Sequence, residues 1–200
     1  MPPVTQTLLV ANVVIFLAEM SGAVSLGEFA LWPPGGFESR FEPWQLVTYA
    51  FLHANLAHIF FNMLALYMFG AEIERLFGAR FYAAYYFAAV VSAALCHQVV
   101  TGLLGGPAVP TLGASGGVYG LLLAFGMYFP HRTVVLLFPP IPMRARTFVV
   151  VFAALELVLG VTQTAAGVAH FAHLGGMLGG WFMIQFRRGG FPFKKNNFLK

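Results

Sequence analysis

One serine, four of the six histidines and one asparagine carry the reactive chemistry of this otherwise apolar chain. Ser115 lies in Gly113-Ala114-Ser115-Gly116-Gly117-Val118-Tyr119, where a glycine-rich stretch gives way to an apolar run. His53, His58 and Asn62 precede it; His170 and His173 follow. A serine hydroxyl with an imidazole suggests a nucleophile and its general base. The chain contains no aspartate, so only a glutamate could be a third member, and a Ser-His dyad is the favoured arrangement. Glu156, in the middle of a later apolar run, has two readings. It is either an acid assisting His173 or a neutral carboxyl hydrogen-bonded to a neighbouring helix. Gly113–Gly117 also satisfies Gly-x-Ser-x-Gly, but that elbow of soluble hydrolases needs a strand before the serine, and no strand pattern precedes this one. His53, His58, His170 and His173 could instead ligate a metal. No His-Glu-x-x-His motif occurs and no carboxylate accompanies the four, so neither metal nor cofactor is expected.

The solvent of these residues follows from composition. The chain is 59% hydrophobic and 9% charged, far below the roughly 25% charged share of soluble domains. Its 200 residues divide into an all-α bundle of six membrane spans, at about 5–24, 50–70, 81–104, 115–129, 147–161 and 168–186, followed by a basic tail over 187–200. No basic residue precedes the first span, which reads as an anchor rather than a cleaved signal. The fourth span is short: the stretch 115–129 covers about 22 Å against a hydrocarbon core of about 30 Å, so its helix starts inside the membrane. Irregular backbone at that depth needs protein or a wet cavity around it, which places water near Ser115.

Positive charge orients the bundle. With both termini cytoplasmic, ten of the eleven basic residues fall inside, and only Arg40 lies outside. The net charge of +4 then reflects topology and attraction to lipid headgroups, and no nucleic-acid partner is expected. Spans two, four and six run from the outer face inward, so His58 and Asn62, Ser115, and His170 and His173 share one shallow outer level. His53, nearer the surface, is expected to matter less. Singly, each has a bland explanation: a lone intramembrane serine is usually an interhelical hydrogen-bonder, and His58 and Asn62, at i and i+4, could be polar glue. Convergence at one depth argues for function. Gly116-x-x-x-Gly120 and Gly176-x-x-x-Gly180 let spans four and six approach closely enough for Ser115 to meet His173.

The combination resembles the rhomboid intramembrane serine proteases over about Trp44 to Gly180. Gly113-Ala114-Ser115-Gly116, with Tyr119 one turn on, is similar to their Gly-x-Ser-Gly nucleophile motif, and Ala172-His173-Leu174-Gly175-Gly176 to their Ala-His-x-x-Gly motif. His53, His58 and Asn62 keep the family's His-x4-His-x3-Asn spacing, and Gly70, Glu74 and Gly78 resemble its Gly-x3-Glu-x3-Gly stretch. Trp44-Gln45-Leu46-Val47-Thr48 resembles the Trp-Arg pair of the first loop, with Gln45 in place of arginine. The resemblance implies cleavage within single-span membrane proteins in the cell membrane, with a site open to the outer face. It implies Ser115 as nucleophile, His173 as base, and His58, Asn62 and the Ser115 N–H as the oxyanion hole. It also implies that substrates enter between spans two and five, with the Val161–Val168 loop as cap. No acidic third member is implied, which favours the neutral reading of Glu156, and His170 reads as cavity lining.

Overall fold

The computed structural model describes residues 1–33, 40–104, 109–136, 139–162 and 169–189. Most of the expected cap, part of the 105–113 loop, Glu38 and the Lys194, Lys195 and Lys200 tail lie outside the described residues. In chain order the helices are α1 (Pro3–Met20), α2 (Leu26–Phe29), α3 (Gln45–Thr48), α4 (Leu56–Ala65), α5 (Ala71–Phe77), α6 (Ala79–Leu104), α7 (Ser115–Tyr128), α8 (Ala145–Thr162) and α9 (His170–Arg187). A π-turn over Leu66–Gly70 joins α4 to α5, so Leu56–Phe77 acts as one long helix. Among the described residues four helices are long and apolar enough to cross a membrane: Pro3–Met20, Leu56–Phe77, Ala79–Leu103 and Ala145–Thr162. The shorter apolar α7 and the glycine-rich α9 pack among them.

Two helix boundaries need correction. The first helix ends at Met20 rather than 24, because Ser21 and Gly22 turn the chain back onto Leu17 and Glu19 carbonyls. The second begins at Leu56 rather than 50: the Asn55 side chain accepts the His58 N–H and caps it, which leaves His53 in the preceding loop. The fold is mostly helical, as an all-α bundle requires, with one short ribbon in which β1 (Thr133–Val135) and β2 (Pro142–Arg144) pair antiparallel after Pro130 has stopped α7.

The core is built around α7, most of whose residues are buried, with α6, α8 and α9 packed against it. In lipid no hydrophobic gain drives such packing, so close backbone approach and interhelical hydrogen bonds must do it. Four glycines of α9 provide two smooth faces. A Cβ on Gly175 would lie 2.4 Å from Cys96 Cβ of α6, and one on Gly176 only 2.0 Å from the Gly116 carbonyl oxygen of α7. Polar clamps fix the heights: Ser92 Oγ donates to the Gly175 carbonyl at 2.8 Å, Tyr85 to Gly120 at 2.6 Å and Tyr49 to Val90 at 2.8 Å. The Glu74 carboxylate, carried by α5, accepts from the N–H groups of Val4 and Thr5 and from the Thr5 hydroxyl, so it caps the start of α1.

Candidate active site

The contact of α7 with α9 at Gly116 and Gly176 lies within one turn of Ser115 on one helix and His173 on the other. That proximity brings Ser115 Oγ to 2.8 Å from His173 Nε2, across 58 residues of sequence. Tyr119, one turn beyond the serine, stacks flat on the His173 ring, with centroids 4.2 Å apart and planes 5° from parallel. His173 is itself buried.

The loop ahead of Ser115 is built rather than slack. Thr111 pairs its backbone with Leu31, its hydroxyl lies 2.8 Å from His97 Nε2 of α6, and the Gly113 N–H donates to the Tyr49 carbonyl at 2.9 Å. Gly113 sits at φ +124°, a region L side chains rarely adopt, and a Cβ there would lie 2.8 Å from the His58 ring. The Cε1–Nε2 side of the His58 ring therefore packs against the backbone two residues before the serine. Its Nδ1 faces the Ala54 N–H at 3.4 Å, which leaves Nε2 to carry the proton on the side facing Gly113. Asn62 is buried one turn further along, with one amide N–H donated to the His58 carbonyl at 3.1 Å and the other available. His53, in the loop ahead of α4, is buried. It is 3% exposed and meets the His58 ring edge-on at 5.1 Å.

Glu156 makes bonds to both neighbouring helices, and it also lies beside His173. Its carboxylate accepts from the Tyr119 hydroxyl through Oε1 and lies 2.6 Å from His170 Nδ1 through Oε2. His173 Nδ1 is 3.0 Å from Oε1, a close charge contact whose angle falls short of an aligned hydrogen bond. His170 is thus a partner of the carboxylate and not only a cavity wall. The four-histidine metal set is replaced by a trio: ligand atoms of Glu156, His170 and His173 lie within 4.8 Å of one another. Each Nδ1 faces a carboxylate oxygen, at 2.6 Å for His170 and 3.0 Å for His173, while His170 Nε2 is buried without a hydrogen-bond partner among the described residues.

Gln45 takes over the loop anchoring that the resemblance assigns to an arginine. Fully buried, it donates to the Glu28 and Arg40 carbonyls and accepts the Trp32 N–H. Thr48 adds a bond to the Phe29 carbonyl at 2.7 Å. Sequence reasoning missed His97 as a support of the Ser115 loop, although an ionisable side chain inside an apolar run was the available signal.

Comparison with known proteins gives a consistent set of relatives. The family model described as the Rhomboid domain matches residues 40–189. The chain is 33% identical over 152 residues to Rhomboid protein 1, mitochondrial, of Saccharomyces cerevisiae, covering 70% of this chain and 42% of that protein. It is 29% identical over 141 residues to Rhomboid protease GluP of Bacillus subtilis, covering 70% and 25%. It is 31% identical over 145 residues to RHOMBOID-like protein 12, mitochondrial, of Arabidopsis thaliana, covering 66% and 42%. The matched region spans less than half the length of each of these relatives.

Proposed function

The chain belongs to the rhomboid family, and from that premise we propose that it is an intramembrane serine endopeptidase acting on single-span membrane proteins through Ser115 and His173. The observation that carries the reading is the 2.8 Å bond between Ser115 Oγ and the acceptor-side Nε2 of a buried His173. His173 takes the Ser115 proton as Oγ attacks the scissile carbonyl, and returns it to the leaving amine. A water then releases the acyl-enzyme by the same path in reverse. The Ser115 N–H, His58 Nε2–H and the free Asn62 amide proton are the donors for the tetrahedral oxyanion. Gly113 and Gly116 keep side-chain bulk out of that hole, and Gly176 keeps the two helices together.

Six spans with both ends cytoplasmic complete the reading. In it α7 starts below the outer surface, and substrate passes between the α4–α5 helix and α8. A catalytically silent client-binding relative is the alternative, and retention of both Ser115 and His173 weighs against it. The test is cleavage of a labelled single-span protein by the purified chain in lipid. Wild type is expected to cut and Ser115→Ala to be silent; equal cleavage by both would refute the assignment.

A further inference from the structure

We propose that Glu156 is a positioning residue that completes a Ser115–His173–Glu156 relay, its carboxylate held in place by Tyr119 and His170. The inference rests on the serine-protease reading and adds a third member to it.

Three observations converge. With His173 Nε2 facing the Ser115 hydroxyl, the neutral ring carries its proton on Nδ1, and that nitrogen is 3.0 Å from Glu156 Oε1. The carboxylate cannot turn freely, because the Tyr119 hydroxyl holds Oε1 and His170 Nδ1 holds Oε2 at 2.6 Å. In the tautomer with the His170 proton on Nδ1, both oxygens face donors. A protonated carboxyl would bring a further hydrogen into a space already filled with them, whereas a carboxylate is acceptor-only and suits it. All three partners are buried: Glu156 is 7%, His170 6% and His173 8% exposed, so water does little to screen a charge formed there.

The step balances without a second proton transfer. The Ser115 proton moves to Nε2 as the Oγ–C bond forms and the carbonyl electron pair moves onto oxygen. The Nδ1 proton stays on the imidazolium, facing a carboxylate that remains ionised. Nε2–H then passes to the amine as the C–N bond breaks. The resting Nδ1 contact is off-line and gains most when His173 becomes a cation, so its contribution falls on the transition state. Tyr119 stacks on His173 while bonding Glu156, and α7, α8 and α9 are thereby fixed at one height.

The experiment compares full-length wild type with Glu156→Gln and Glu156→Ala in lipid vesicles, following substrate cleavage, fluorophosphonate labelling of Ser115 and thermal midpoint. Glutamine keeps the shape and an acceptor but removes the charge. It is expected to lower kcat about 10²- to 10⁴-fold, the upper end being the cost of the same exchange in a Ser-His-Asp triad, with KM within about twofold. Labelling should slow in parallel, and the midpoint should move by only a few degrees. Added formate should restore part of the kcat of Glu156→Ala without raising its midpoint, an arm that stays decisive if the glutamine variant folds poorly. Wild-type kcat in Glu156→Gln, or losses that track the midpoint with no formate rescue, would overturn the proposal. So would loss of wild-type activity in EDTA restored by zinc, which would assign the trio to a metal. Silence of the wild type towards both substrate and fluorophosphonate would instead refute the protease reading itself.

Discussion

At the scale of single residues, the proposed oxyanion hole and its floor make sharp predictions. Removing a preorganised donor costs about 10²–10³ in kcat, whereas removing a structural bond lowers stability and activity together. His58→Ala and Asn62→Ala are each expected to fall in the first class, with little change in KM and a thermal midpoint within a few degrees of wild type. Melting in step with activity loss would show the pair to be structural glue. His53, expected from its position in the sequence to matter less than His58, is buried edge-on against it. His53→Ala should leave space for the His58 ring to turn, with a partial fall in kcat; a variant as active as wild type would show that His58 holds its orientation alone. The geometry of the proposed hole extends to Gly113, whose positive φ and 2.8 Å Cβ-to-His58 distance leave no room for a methyl group.

At the scale of elements, the site depends on how closely α7 and α9 approach. Gly176→Ala sets a Cβ 2.0 Å from the Gly116 carbonyl oxygen, backbone against side chain, with no rotamer to relieve it. The helices must separate, and overpacking of this kind costs about 1–3 kcal/mol or more. The expected result is a lowered thermal midpoint together with loss of the Ser115–His173 contact, read as slow fluorophosphonate labelling of the protein that remains folded. Normal labelling would show that the helices can part without opening the pair. The loop carrying α2 and α3 is a second such element. Gln45 satisfies three backbone groups from a buried position, so Gln45→Ala should destabilise by about 1–3 kcal/mol for the groups it leaves unpaired, measured as a fall in midpoint.

At the scale of the whole molecule, side-chain contacts sort the helix ends into two levels. One end gathers the start of α1 on Glu74, Arg132 on Glu72, Arg187 over Phe77 and Phe81, and Arg188 over Tyr128. The other gathers the end of α1 at Glu19 with His53, the starts of α4, α7 and α9, and the Ser115–His173 pair. Exposed Val14, Leu17, Phe60, Phe61, Val150 and Val158 face outward between these levels, as lipid contact requires. The basic end is expected to be cytoplasmic. A reporter after Lys200 should score inside, and a cysteine at 109 should react with an impermeant reagent from outside; the reverse pattern would place the active site at the inner face.

Local pattern determined a good deal by itself. Composition named lipid as the solvent, and apolar runs located the long helices to within a few residues at most ends. The spacing around Ser115, His173, His58 and Asn62 identified the candidate site, because motif residues keep their distance along a helix. What only the tertiary structure decided are the pairings across helices. Glu156 reads in sequence as one carboxyl in an apolar run; the tilt and rotation of α8 against α7 and α9 turn it towards Tyr119, His170 and His173. The same holds for His97 under the Ser115 loop, for Gln45 anchoring a loop without an arginine, and for the burial of His53. Each depends on the register of one helix against another, which is set by the glycine contacts between them and leaves no periodic trace in either helix alone.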